Sequence, residues 1–239
     1  MRRLVAVATR GGVLVRGWSV GAGRGGRGVE VVEALRRGVE AGDVAAVRDM
    51  LMGGLGGAVD VNAGSGPRGE TPLVAAVSRG DVEITDMLLA RADVNPRAAC
   101  GDERTTAMHA AAWYGHTVLL AKLLAAAAAA GGFNVNVRDG GGASPLARAA
   151  GNGRLHATEM LAEHPQVDLN SVDREGRTPL ALAAEAGHLA VVKRLVDLPE
   201  VDLNHPTHDG LTPEVLAERN GHCDVARVLL DAGAIVGEP

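Results

Sequence analysis

Five times between residues 71 and 221 of this 239-residue chain a Thr or Ser is followed nine residues later by a glycine: Thr71 and Gly80, Thr106 and Gly115, Ser144 and Gly153, Thr178 and Gly187, Thr212 and Gly221. The step from one Thr or Ser to the next varies, at 35, 38, 34 and 34 residues, while the inner offset never changes. A constant inner offset with a variable outer step describes one structural unit copied along the chain, with insertions between copies. Such a chain need not build one thick core, because each unit buries its apolar face against the next. The composition agrees: Tyr114 and Phe133 are the only residues of their kinds, Trp18 and Trp113 the only tryptophans, so Ala, Leu and Val must do the packing.

Each part of the unit has a physical reading. In Thr71-Pro72, Ser144-Pro145, Thr178-Pro179 and Thr212-Pro213 the hydroxyl can accept from the orphan N–H groups of a helix start, and Pro at the first helical position forfeits no hydrogen bond. The Leu-x-x-Ala-Ala that follows, as in Leu180, Ala183 and Ala184, gives a short apolar stripe of small residues. The glycine at the ninth position then ends the first helix in a left-handed turn. A second helix is expected with its apolar residues four, five, eight and nine positions after the glycine, as in Val191, Val192, Leu195 and Val196. A Val-x-Asn-like segment closes the unit at Asp60-Val61-Asn62, Asp93-Val94-Asn95, Asn134-Val135-Asn136, Asp168-Leu169-Asn170 and Asp202-Leu203-Asn204. Turn formers such as Asp139-Gly140-Gly141-Gly142 and Asp173-Arg174-Glu175-Gly176 follow, so a hairpin-like loop joins successive helix pairs.

The run from Asp173 to His188, with Thr178-Pro179-Leu180 and Gly187-His188 inside it and a period near 33 around it, resembles the ankyrin repeat. The resemblance covers roughly residues 29–236 and implies an all-α solenoid of about six stacked helix-turn-helix units joined by hairpin-like loops. The repeats fall near 29–66, 67–101, 102–139, 140–173, 174–207 and 208–236, the first being degenerate because it lacks Thr-Pro-Leu. The loop from Pro96 to Glu103 should be enlarged, and Ala125–Ala130 should lengthen a second helix. Glu214 and Glu218 stand where other units have apolar residues and read as the polar outer face of a C-terminal cap.

Chemistry finds little foothold. His205, His208, His222 and Cys223 cluster late in the chain, but the first two belong to a hairpin turn and His222 fills the Gly-His slot, as His116 and His188 do; no metal site is expected. His109 occupies the family's Thr-Pro-Leu-His position, which implies a structural hydrogen-bonding role. The run Gly21–Gly26 matches a dinucleotide-binding glycine pattern formally, without the βαβ frame or the acidic residue that pattern requires. No catalytic residue and no cofactor is expected, and the chain reads as a non-enzyme.

Net charge is −5, yet residues 1–28 hold six Arg and no acidic residue, which leaves −11 for the remainder. This Gly/Arg-rich arm reads as flexible and suits RNA, an anionic surface or an import receptor, and it is similar to a mitochondrial or plastid transit peptide. The acidic body argues against DNA. Two distant cysteines, Cys100 and Cys223, argue for a reducing, intracellular compartment, cytoplasmic or nuclear, and no apolar run reaches the roughly 20 residues of a membrane span.

What the resemblance implies about function is a monomeric scaffold or adaptor that grips another protein through its concave face. The alternatives are an RNA-associated recruiter or a non-catalytic targeting subunit of an enzyme complex. In this family the two residues before the first-helix glycine face the binding surface. Here they are Ser78-Arg79, Trp113-Tyr114, Gly151-Asn152, Glu185-Ala186 and Arg219-Asn220. Trp113 and Tyr114 are expected to anchor the partner, with Arg79, Asn152, Glu185 and Arg219 as a polar rim and the turn residues Arg138, Arg174 and Arg177 beside them. Because the arm offers almost no apolar periodicity, a truncated chain beginning at Val29 is expected to keep its helical circular dichroism and melting temperature; a loss of several degrees would show that the arm docks.

Overall fold

The hydroxyls picked out in the sequence stand at helix starts. In a computed structural model, which describes residues 7–9, 12–15, 18–19, 27–52, 60–66, 69–129 and 134–234, Thr71, Ser144, Thr178 and Thr212 are extended residues whose Oγ atoms accept from the N–H groups of Val74, Ala147, Ala181 and Val215. Each such cap is worth about 1 kcal/mol. The helices they open are α3 (Pro72–Arg79), α7 (Pro145–Gly151), α9 (Pro179–Glu185) and α11 (Pro213–Arg219), each with Pro in its first turn, and α5 (Ala107–Tyr114) starts after Thr106. Each is followed by a second helix: α4 (Val82–Leu89), α6 (Thr117–Ala129), α8 (Leu155–Ala162), α10 (Leu189–Val196) and α12 (Cys223–Asp231). The degenerate first copy forms α1 (Arg27–Ala41) and α2 (Val44–Met52), making six pairs. The alanine run does lengthen α6 to 13 residues.

Ahead of α1 the described backbone forms three short antiparallel strands, β1 (Val7–Thr9), β2 (Gly12–Val15) and β3 (Trp18–Ser19), in the order β1-β2-β3. The valines at 7, 13 and 15 supply the β-branched residues that pairing favours. An antiparallel meander is not the βαβ frame of a dinucleotide site; the run Gly21–Gly26 lies outside the described residues, and residues 27 and 28 open α1.

The chain divides into two compact units, Met1–Asp102 and Glu103–Pro239, with the boundary inside the enlarged loop from Pro96 to Glu103. In the first unit α1 packs on α3 and α2 on α4. In the second, the first helices form one row, α5, α7, α9 and α11, and the second helices another, α6, α8, α10 and α12. Buried alanines, among them Ala149, Ala150, Ala183 and Ala184, let the first row close up, while Leu161, Val191, Val192, Leu195 and Leu229 fill the space between the rows.

Within each unit, two recurring kinds of hydrogen bond tie neighbouring repeats together. The first uses the Asn of the Val-x-Asn segment. In the second unit Asn136 donates Nδ2–H to Gln166 O and accepts Asp168 N–H, both at 2.8 Å, and Asn170 does the same with Glu200 O and Asp202 N–H, again at 2.8 Å. In the first unit Asn62 bridges Asp93 O (2.7 Å) and Asn95 N–H (2.6 Å). The second kind runs over the cap glycines. His188 donates Nε2–H to Gly151 O at 3.1 Å with its ring over Gly153, where an added Cβ would come within 2.7 Å of it. Arg154, in the same Gly-x slot, donates Nε–H to Trp113 O at 2.9 Å. Gly153 has φ 68°, so both its backbone and its space exclude a side chain.

Glu214 corrects one expectation: it is 1% exposed and does not form a polar outer cap. It sits in the first turn of α11, at the position that Leu146 and Leu180 bury in α7 and α9. The repeat position sets the burial, and the N-terminal helix turn suits a carboxylate there. Glu218 is exposed, as expected of a terminal repeat.

His109 is a buried polar link from its helix to the loop that follows its repeat. At 2% exposure, its Nδ1 accepts from Thr106 N–H (3.3 Å) and meets Thr106 Oγ1 (2.9 Å), while Nε2–H points at Val137 O and Ala143 O, each at 3.1 Å. Burial holds its pKa below the usual 6.5, against the pull of the Asp139 carboxylate. Below pH 6.5 the unfolded chain therefore takes up a proton that the folded chain refuses, so the stability His109 confers is complete above that pH and is lost as pH falls beneath it. Thermal melts at pH 7.5 and 5.5 should show a larger drop for the native chain than for His109→Gln; equal drops would contradict this assignment.

Candidate partner-binding face

The face nominated by the sequence is built in the second unit on the C-terminal ends of the first helices and on the loops that precede them. Helix α5 is too short to bury its last two residues. Trp113 is 41% exposed and Tyr114 45%, the two large exposed aromatics among the described residues. The Tyr114 ring stacks on His116, with centroids 5.8 Å apart at 22°. Arg148 lies over the Trp113 ring, its Cζ 5.2 Å from the centroid. Arg148 also donates Nε–H to Asp139 Oδ2 at 2.6 Å, an ion pair whose carboxylate is buried. Asp139 turns its other oxygen to the N–H groups of Gly141 (2.9 Å) and Ala143 (3.0 Å). One aspartate thus fixes the loop, the arginine and, through the arginine, one face of Trp113.

The same design repeats one unit on. Asp173 accepts the N–H groups of Glu175 and Arg177 and the Arg177 guanidinium at 2.9 Å. Arg177 further pairs with Glu175 (3.2 Å) and Glu185 (3.1 Å). Burial works against its charge, but the three carboxylates outweigh that and raise its pKa above the ordinary arginine value. In the last repeat Thr207 does the turn's work instead, its Oγ1 accepting Leu211 N–H.

The nominated residues therefore divide. Trp113, Tyr114, Arg138, Arg174 and Arg219 are exposed. Asn152 is half-buried and donates Nδ2–H to Arg148 O at 2.8 Å, and Arg177 and Glu185 are partners of each other. Arg138 reaches Val172 O on the next loop, and Arg174 N–H reaches Gly141 O at 3.0 Å on the loop before, so the two arginines sit on adjoining loops. Arg79 is exposed but belongs to the first unit, where its guanidinium lies over Gly42. Arg148, Arg154 and His116 were not nominated, yet they are what hold the two rings. Arg148 carries the one available signal, an arginine at a slot that reads Ala or Leu in the other copies of the repeat.

Among the described residues no group of three or more His, Cys, Asp or Glu is placed to hold a metal, and no helix is long and apolar enough to cross a membrane. Both cysteines are free; Cys100 is buried, which pushes its thiol pKa up, and Cys223 is exposed.

The comparisons agree with this architecture. The family model for ankyrin repeats (3 copies) matches residues 35–139, 120–206 and 146–238. The crystal structure of the ankyrin repeat domain of Bcl-3, a unique member of the IkappaB protein family, is similar at a TM-score of 0.72 and 26% identity, over 84% of this chain and 86% of that one. No curated protein matches the chain. The chain belongs to the ankyrin-repeat family, and its repeats form a protein-interaction module.

Arg148→Met removes both the guanidinium over Trp113 and the partner of a buried carboxylate. It should cost about 1–3 kcal/mol in thermal or denaturant melts and shift Trp113 emission, read in a Trp18→Phe background; unchanged stability and emission would mean that the pair is incidental.

Proposed function

We propose that this protein is a non-catalytic adaptor that recruits a partner protein through the face carrying Trp113 and Tyr114. The observation that carries this reading is two adjacent aromatic rings left nearly half exposed in a chain that has only four aromatic residues. Trp, Tyr and Arg dominate interface energies, each hot spot contributing about 2 kcal/mol or more. An exposed aromatic pair with no partner is a liability for solubility. The rings are also held in place: Arg148 covers one face of Trp113, Arg154 ties down its backbone carbonyl and His116 stacks on Tyr114. Rigid, pre-ordered rings lose little side-chain entropy on binding. Asn152, Arg138 and Arg174 form the polar rim on this reading, and Arg219 extends it into the last repeat.

The double change Trp113→Ala and Tyr114→Ala should abolish co-purification of the partner from native lysate while the melting temperature stays within a few degrees. Unfolding of the double variant would place the rings in the core, and undiminished binding would make them bystanders.

A further inference from the structure

We infer that the partner segment seated on Trp113 is acidic: a short extended peptide in which one apolar side chain is flanked by Asp or Glu. This rests on the reading of Trp113 and Tyr114 as the binding face, and it follows from which charges on that face are already used. The carboxylates of the Asp139 and Asp173 loops are engaged. Asp139 is paired with Arg148, and Asp173, Glu175 and Glu185 are all paired with Arg177. Glu103, on the preceding loop, is the exception: it is exposed, and among the described residues no ion pair holds it. The arginines are not spent. Among the described residues no carboxylate pairs with Arg138, Arg154 or Arg174, whose hydrogen bonds go to backbone carbonyls or to none.

These three cations form a connected row. Arg154 Nε–H is on Trp113 O, Trp113 is under Arg148, Arg148 is on Asp139 next to Arg138, and Arg138 reaches the loop that carries Arg174. The row is singular because the unit around it is acidic, with eleven Lys and Arg against seventeen Asp and Glu over residues 103–239. A positive strip on a negative body attracts a local carboxylate while the body's field repels a long polyanion, which favours an acidic peptide over a nucleic acid. The Trp113 ring adds discrimination. With Arg148 already drawing on its π-system, a second cation gains little there, so a basic peptide is disfavoured and an apolar side chain fits.

The test is selection of a phage-displayed random dodecapeptide library on the full-length chain, with the winners measured by calorimetry at two salt concentrations. The expected result is enrichment of peptides with several Asp or Glu around an apolar residue. Their affinity should fall as salt rises, fall roughly ten-fold or more in the variant Arg138→Glu/Arg174→Glu, and vanish in Trp113→Ala. Circular dichroism melts of both variants must match the native chain for those losses to count, and Arg138→Gln/Arg174→Gln, which adds no repulsion, should show an intermediate loss. Basic or neutral winners that still require Trp113 would overturn the acidic inference and leave the binding face standing. Winners indifferent to Trp113, or none, would overturn both, and displacement of the winners by a dodecamer of uridylate would assign the strip to single-stranded RNA.

Discussion

The side-chain amide of a loop asparagine, repeated at three junctions of the stack, is the interaction on which the rest depends. Asn62, Asn136 and Asn170 each spend both ends of the amide on the backbone of the following loop, donating to a carbonyl and accepting the N–H two residues further on. A loop of this kind cannot satisfy those groups itself, and its own Asp or Asn is committed to the local turn, as Asp168 is to Asn170 N–H. At these three junctions one repeat is therefore completed by its neighbour. With most helices only seven to nine residues long, too short to be stable alone, the stack is a chain of mutual dependence.

That dependence explains why so much of the fold was legible in the sequence. The nine-residue offset between Thr178 and Gly187 is the length of one helix plus its two ends, and each end needs a specific residue type for a local reason: a hydroxyl cap and a left-handed turn. What escaped is whatever depends on a neighbour. Glu214 looks like an outward-facing residue by its charge, but its place in the repeat is one the preceding helix covers. Arg154 and His188 occupy one slot, and nothing in either residue type reveals that both reach back to the carbonyl two residues before the previous glycine. The pairing of strands β1 to β3 was hidden by the Gly and Arg content around them.

The candidate face shows the same limit. Trp113 and Tyr114 were found because the chain has so few aromatics that two side by side demand an account. Arg148, which orients Trp113, went unnoticed because its partner Asp139 looks like any turn aspartate until the loop is folded against α7. The physical division is clear once the contacts are drawn: Asp139, Asp173, Arg148 and Arg177 are buried or half-buried and hold loops and helices together, while Trp113, Tyr114, Arg138 and Arg174 are exposed.

The central claim, that each repeat is held by its neighbour through these amide bridges, is tested most directly by native-state hydrogen exchange of Asn170→Ala, followed amide by amide. The account predicts that the Asp202 N–H loses protection together with the amides of α10, α11 and α12, because the last repeats lose their tie to the stack, while α5 and α7 exchange as before. If only the Asp202 amide accelerates, or if exchange rises evenly along the unit, the repeats are not coupled in this way and the account fails.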